Sequence, residues 1–162
     1  MLLVSDANIF IDFEAAGLTA ELFRLSHEIV VPDVLFAQEL SERHGHLIGH
    51  GLKTMNLNGE QVAAAFGLRR KHKGTGVNDV FALVLAKTLG CPLVTGDRGL
   101  RAAAQAEDVQ LMGTLTLMEQ LFYQGVLDHR GVEEAYRKMQ DAGRRLPAKE
   151  VSAQLQRLKA GP

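Results

Sequence analysis

Short apolar runs rich in β-branched residues alternate along the chain with longer stretches whose apolar residues recur at helical spacing. The β-rich runs are Leu2 to Val4, Glu28 to Val31, Pro92 to Thr95 and Val109 to Met112. Parallel neighbours in a sheet need crossover connections, which helices supply. The alternation therefore predicts an α/β fold, with a mainly parallel sheet of four to five strands and helices on both faces.

Two of the predicted helices carry acidic residues near predicted strands. Asn78 to Gly90 has an apolar core-facing pattern, with Asn78 as a candidate N-cap and Gly90 as its end. The stretch from Asp33 to Glu42 follows the strand EIVV through a proline, which places Glu39 on an early helix.

After Met112 the pattern is helical to residue 162. The three predicted helices are LTLMEQLFYQG, VEEAYRKMQDAG and PAKEVSAQLQRLKAG, the last starting at Pro147. No repeat or linker composition divides the chain. We expect one domain over residues 1–162, with a core at about 1–113 and a helical C-terminal extension at about 114–162.

Composition narrows the function classes. Apolar residues are 46% and charged residues 23% of the chain, as in an ordinary globular protein. The net charge of −1 argues against a surface that binds nucleic acid through overall positive charge. The longest apolar run lies within Val80 to Ala86, far short of the roughly 20 residues that span a bilayer, so no membrane segment is expected. The N-terminus MLLVSDANIF has no basic region before its apolar residues and reaches Asp6 at once, so no signal peptide is expected. The lone Cys91 fits a reducing compartment and predicts a cytoplasmic location.

Four acidic residues occur where a parallel sheet would gather them. Asp6 follows the first strand and Asp97 lies two residues beyond the strand PLVT, so both should emerge at the carboxyl edge, where open α/β sheets bind ligands. Asp79 is in the first turn of its helix, where the backbone dipole favours an anion. Glu39 joins them if its helix leans over this edge.

Each acid also has a purely structural interpretation. Asp6 could form an Asx-turn, and Asp97 could be an ordinary turn residue. Asp79 could be a charge at a helix start, and Glu39 could lie on a solvated helix face. Gathered at one edge, however, like charges repel unless a cation is bound. Oxygen ligands without His or Cys suit Mg²⁺ or Mn²⁺, and such an ion can activate water against a phosphodiester. The set predicts metal-dependent phosphodiester hydrolysis.

Three segments carry a family resemblance. SDANIFIDF resembles the opening of PIN-domain proteins, VVPDVLFAQEL their second strand and glutamate-bearing helix, and NDVFALVLAKTLGCPLVTGDRGLR their most diagnostic part. The match covers Met1 to about Gly113. The tail beginning GTLTLMEQLFYQGVL is similar to a helical extension in one prokaryotic branch. The chain thus resembles a PIN-domain ribonuclease of the VapC-like toxin type.

The resemblance implies an endonuclease for single-stranded RNA, the toxin of a toxin–antitoxin pair, acting as a homodimer and blocked by a small antitoxin protein. By position, it implies that Asp6, Glu39, Asp79 and Asp97 are the metal-binding and catalytic acids. Asn8 and Thr95 would support the site: Asn8 by holding Asp6, Thr95 by orienting Asp97 or touching a phosphate. Apart from the resemblance, Arg98 directly follows Asp97 and could contact a phosphate or the transition-state charge, or pair with a structural acid. The extra Asp12 is interpreted as a helix-start charge.

Other interpretations remain open at this point. The segment Arg69 to Lys73, RRKHK, could bind phosphates or end a solvated helix. A phosphatase of the haloacid-dehalogenase type also begins with a strand and an aspartate, but it needs Asp-x-Asp where this chain has Asp6, Ala7 and Asn8. A signalling receiver domain needs an acidic pair after the first strand. A PIN-like scaffold that binds a partner or RNA without cleavage is the non-enzyme alternative, against which the presence of all four acids argues.

Overall fold

A computed structural model describes residues 1–162. Contacts between Cα atoms divide the chain into two compact units. The first contains residues 1–9 and 26–113, and the second contains residues 10–25 and 114–162. That the whole chain forms a single domain stays a prediction. None of the helices is both long and apolar enough to cross a membrane.

The first unit is built on a five-stranded sheet in the order β3-β2-β1-β4-β5, in which every pairing is parallel. The predicted α/β fold with a parallel sheet is confirmed. The strands are β1 (Leu2–Ser5), β2 (Glu28–Pro32), β3 (Lys53–Met55), β4 (Leu93–Val94) and β5 (Leu111–Met112). β3 was not predicted, because an exposed edge strand reading KTM has no apolar run to reveal it.

Helices connect the strands and continue to the end of the chain. They are α1 (Ala7–Ala15), α2 (Thr19–Leu22), α3 (Asp33–Leu35), α4 (Ser41–His44), α5 (Leu47–His50), α6 (Gly59–Lys71), α7 (Val77–Leu89), α8 (Arg98–Ala106), α9 (Thr114–Tyr123), α10 (His129–Asp141) and α11 (Ala148–Leu158). The three tail helices are confirmed, with Pro147 directly before α11.

α7 is the central helix of the first unit. Its residues Val80 to Ala86 are all buried, as expected for a helix that is apolar on every side, and it contacts β1, β2 and β4. Gly90 ends it with a φ of +63°, a conformation that glycine adopts without strain. The packing of α7 against the middle of the sheet fixes where its first turn lies.

The segment between α3 and α4 is a π-helical turn, Phe36–Leu40. It replaces one turn of the continuous α-helix that the sequence predicted over Asp33 to Glu42. Such turns occur mostly as single insertions within α-helices and often at functional sites. Here the turn carries Glu39, whose side chain is exposed, while Leu40 is buried.

The second unit contains an ion pair between Asp12 on α1 and Arg144 after α10. Asp12 lies in the middle of α1, so its interpretation as a helix-start charge is wrong. Its carboxylate accepts from Arg144 Nε at 2.7 Å and from Thr114 Oγ1 at 2.8 Å. Asp12 is 7% exposed. The pair therefore ties α1 to the start of α9 and to the chain after α10.

Candidate active site

Asp6 and Thr95 meet where the strand order reverses. From β1 the chain proceeds outward to β2 and β3 on one side, while β4 and β5 lie on the other. Ligands in open α/β sheets bind at the carboxyl ends of the strands at such a point. Asp6 follows β1, Thr95 follows β4, and the Thr95 hydroxyl donates a hydrogen bond to Asp6 Oδ2. Both residues are almost fully buried, at 2% and 0% exposed.

Thr95 also connects Asp6 to Asp97. Its Oγ1 accepts from the backbone N–H of Asp97 at 3.0 Å. The second carboxylate oxygen of Asp6, Oδ1, accepts from the N–H of Ile9 at 3.3 Å. The Thr95 hydroxyl therefore sets the spacing between the buried carboxylate of Asp6 and the backbone at Asp97.

Asp97 is the N-cap of α8. Its Oδ1 accepts from the N–H of Leu100 at 2.8 Å, and the residue is exposed. A carboxylate offers about four lone-pair positions, so this bond leaves others for a ligand. Nearby, a Cβ on Gly99 would lie 2.6 Å from the carbonyl oxygen of Gly74. Glycine at position 99 allows the chain before α7 to approach the start of α8.

Asp79 lies in the first turn of α7, as predicted, and its Oδ2 accepts from the N–H of Gly76 at 3.0 Å. Burial raises the pKa of the Asp79 carboxyl, the Gly76 hydrogen bond opposes that rise, and the negative charge of Asp97 adds to it. The two carboxylates are therefore close enough to repel each other. A cation between them would relieve this repulsion.

Glu39 is brought to the same region by Asn78. The side-chain amide of Asn78 donates to Glu39 Oε2 at 3.0 Å and to Gln38 Oε1 at 3.1 Å. The interpretation of Asn78 as the helix cap is wrong, because α7 starts one residue earlier and its N-cap is Gly76. The amide is thus available to reach the π-helical turn.

Three separate interactions bring the four predicted acids to one region. Thr95 joins Asp6 to the backbone of Asp97, charge repulsion couples Asp97 to Asp79, and Asn78 places Glu39 next to the first turn of α7. No three of the chain's His, Cys, Asp and Glu side chains stand close enough to form a compact metal-ligand cluster. Asn8 and Arg98 are both exposed, in the first turn of α1 and at the first position of α8. Their supporting roles stay predictions.

The chemistry of these residues fits a hard divalent cation. All four candidate ligands are carboxylates, the donors that Mg²⁺ and Mn²⁺ prefer over thiolates and imidazoles. Burial is the largest cause of the raised pKa of the Asp79 carboxyl, and a bound cation would favour its charged form. In addition, Asn78 Oδ1 is buried without a hydrogen-bond partner, and such an acceptor suits a donor from outside the protein, such as a water molecule.

Two supporting residues were missed in the sequence. Asn78 directly precedes Asp79, but helix-start patterns alone do not distinguish a cap from a cross-chain contact. Arg101 donates from Nη1 to the carbonyl oxygen of Thr95 at 2.7 Å, and a longer contact of 3.4 Å reaches that of Met112. It thereby holds together the ends of β4 and β5. Its position one turn after Asp97 on α8 was the available signal.

In the structure, some residues of the basic segment Arg69 to Lys73 make ion pairs and others are exposed. Lys71 and His72 both contact Glu107 Oε2, at 2.7 and 3.0 Å, and Lys87 contacts Glu107 Oε1 at 2.9 Å. Hydrogen bonds from Lys71, Lys87 and His72, in that order, lower the pKa of Glu107 from 4.5 to about 2. Arg69, Arg70 and Lys73 are exposed. Part of the segment is therefore structural, tying α6 to α7 and to the end of α8.

The family model described as PIN domain matches residues 2–160. This chain belongs to the PIN-domain family. PIN domains are generally nucleases. In a search of curated proteins, none matches the chain.

Solved structures share the fold at low sequence identity. One is a chain in the crystal structure of VapBC2 from Rickettsia felis bound to a DNA fragment from their promoter, with 16% identity and a TM-score of 0.50 over 70% of this chain and 98% of that one. Another is PAE2754 from Pyrobaculum aerophilum, with 17% identity and a TM-score of 0.51 over 75% of this chain and 98% of that one. The similarity establishes the fold.

Proposed function

We propose that this PIN-domain protein is a metal-dependent endoribonuclease that hydrolyses phosphodiester bonds in single-stranded RNA. The observation that carries the proposal is the hydrogen-bonded link Asp6–Thr95–Asp97 at the point where the strand order reverses. The proposal is also supported by the repulsion between the Asp97 and Asp79 carboxylates, which a divalent cation would relieve. Membership in a family of nucleases favours the same reaction.

In this proposal Asp6, Glu39, Asp79 and Asp97 hold Mg²⁺ or Mn²⁺. Such an ion supplies positive charge to a phosphodiester and lowers the pKa of a bound water. The protein's own residues position the ligands, the attacking water and the RNA strand. Thr95 keeps Asp6 and Asp97 at a fixed spacing, one of the acids orients the attacking water and accepts its proton, and Arg98 contacts a phosphate of the strand.

The biological setting is also part of the proposal. VapBC2, whose structure shares this fold, is described as bound to DNA of its own promoter. We expect this chain to be the toxin of a toxin–antitoxin pair, to form a homodimer, to bind a small antitoxin protein and to act in the cytoplasm. The lone Cys91 is consistent with that reducing compartment.

The test is cleavage of a mixed single-stranded RNA by the pure protein with Mg²⁺ or Mn²⁺, with and without a chelator. Asp6→Asn and Asp97→Asn each remove one charge from the site and are expected to reduce cleavage at least a hundredfold. Asp108→Asn is the matched control, since Asp108 is exposed beyond the opposite end of α8 from Asp97. It should cleave at the unmodified rate.

The outcomes separate the alternatives. Cleavage that needs the metal and is lost in both site variants supports the nuclease. Cleavage that survives the chelator or the two variants contradicts it. A protein that neither cuts RNA nor binds Mn²⁺ in calorimetry is better explained as a PIN-like scaffold for a partner or RNA.

A further inference from the structure

The side chain of Asn78 connects the first turn of α7 to the π-helical turn by hydrogen bonds. Its amide nitrogen lies 3.0 Å from Glu39 Oε2 and 3.1 Å from Gln38 Oε1. The sequence separation to Glu39 is 39 residues. The contact is therefore tertiary and depends on the packing of these two segments against each other.

The orientation of this amide is fixed by its partner. A carboxylate can only accept hydrogen bonds, so the Asn78 NH₂ group must face Glu39. The other end of the amide, Oδ1, is then directed away from Glu39, and it is buried without a partner. A buried acceptor that the protein leaves unsatisfied destabilises the folded state. Such costs are tolerated where they serve a function.

Glu39 depends on this contact. It is exposed, and its carboxylate takes no other hydrogen bond or ion pair in the structure. Asn78 immediately precedes Asp79 in the chain. The hydrogen bond therefore holds the Glu39 carboxylate at the first turn of α7, the turn that also carries Asp79.

We propose that Asn78 is a positioning residue, which holds the Glu39 carboxylate beside Asp79 so that both can bind the same divalent cation. The inference rests on the proposed function and adds a residue to it. The Asn78 amide is neutral and so cannot replace Glu39 as a charged ligand. Its contribution is to fix a side chain that would otherwise adopt many rotamers, which costs affinity when a ligand must order it.

Calorimetric titration of the full chain with Mn²⁺ alone tests the proposal without RNA. Asn78→Ala is expected to weaken Mn²⁺ binding at least tenfold, as losses of residues that orient metal ligands usually do. Gln38→Ala is the matched control, because it removes the other acceptor of the same amide but no charge, and its affinity should stay within twofold. Thermal unfolding by circular dichroism checks that both variants remain folded.

A double-mutant cycle separates positioning from a general structural effect. If Asn78 acts through Glu39, then Asn78→Ala adds no further loss to Glu39→Gln. Cleavage by Asn78→Ala should also recover at saturating Mn²⁺, whereas a damaged site would not recover. In addition, the NH₂ resonances of Asn78 in a metal-free NMR spectrum should move on Glu39→Gln, and this readout needs no variant at position 78.

The possible results are distinguishable. Equal Mn²⁺ affinity in Asn78→Ala and the unmodified chain overturns the inference and leaves the nuclease proposal intact. Additive losses in the cycle, or Asn78 resonances unmoved by Glu39→Gln, also overturn it. If the unmodified chain binds no Mn²⁺ at all, the proposed function and this inference both fail.

Discussion

The hydroxyl of Thr95 donates to the carboxylate of Asp6 although 89 positions separate the two residues in the chain. The bond exists because β1 and β4 are parallel neighbours, with Ser5 opposite Val94, so that the residues after each strand emerge side by side. The same hydroxyl accepts from the N–H of Asp97 at 3.0 Å. A single buried threonine therefore organises two of the proposed metal ligands.

Replacing Thr95 by valine keeps the shape of the side chain and removes the hydroxyl. The Asp97 N–H then loses its acceptor and Asp6 loses a donor, so we expect unfolding free energy to fall by about 1–3 kcal/mol and Mn²⁺ affinity to fall about 10–100-fold. Urea denaturation and calorimetry measure the two effects. Thr54→Val, on the exposed edge strand β3, is the control and should change neither. Unchanged affinity in Thr95→Val would show that Asp6 needs no support.

Gly99→Ala should disturb the site by displacing the backbone segment before α7. The new Cβ would lie 2.6 Å from the Gly74 carbonyl oxygen, which is backbone and cannot rotate away, so the chain before α7 must shift. A loss of stability of about 1–3 kcal/mol is expected, as for overpacking elsewhere. Gly67→Ala, inside α6 where a new Cβ would meet no atom within 4 Å beyond its own stretch of helix, should instead stabilise by about 0.5–1 kcal/mol. Equal effects of the two substitutions in urea denaturation would contradict the close approach.

The Glu107 cluster predicts a pH dependence of stability. Its carboxyl has a pKa near 2 in the folded chain against an ordinary value of 4.5, so the folded state favours the charged form. Its stabilisation is fully present above about pH 4.5 and is lost as the pH falls toward 2. Because Lys71 and Lys87 are 63% and 52% exposed, water screens the pairs and we expect about 1 kcal/mol.

Glu107→Gln measures this contribution directly. Its unfolding free energy should be below that of the unmodified chain at pH 7, and the two should converge as the pH is lowered from 4.5 toward 2. Glu133→Gln, an exposed acid on α10, corrects for the change in net charge. A gap that stays constant across this range would mean that Lys71, Lys87 and His72 do not act through the ionised carboxylate.

In the second unit, Asp12→Ala should remove a carboxylate that accepts hydrogen bonds from Arg144 and Thr114. Asp12 and Arg144 side chains are 10% and 25% exposed, so the pair is partly shielded from water and its loss should cost about 2 kcal/mol. The double variant Asp12→Ala with Arg144→Ala should lose less than the sum of the single losses. Arg145→Ala, at the exposed neighbouring position, is the control. Additive single losses in urea denaturation would show that the two residues do not interact.

Much of the fold could be predicted because its signals are local. Strand runs, helical spacing and the glycine that ends α7 each act within a few residues, and the parallel-sheet rule then places Asp6 and Asp97 at one edge. The sequence could not reveal that Asn78 reaches Glu39 or that residues 10–25 pack with the tail, since both follow from tertiary contacts. Asp12 was misinterpreted for the same reason: its partners lie more than 100 positions away.

The position of β1 between β2 and β4 has a consequence for how the chain is made. During synthesis β1 can pair with β2 as soon as residues 28–32 are available, but its other edge has no partner until residues 93–94 follow. An open strand edge of this kind is prone to pairing with other chains. The Asp6–Thr95 contact forms only when that edge closes, so in a nascent chain that has not reached β4 the Asp6 carboxylate does not yet have the Thr95 hydroxyl as a donor.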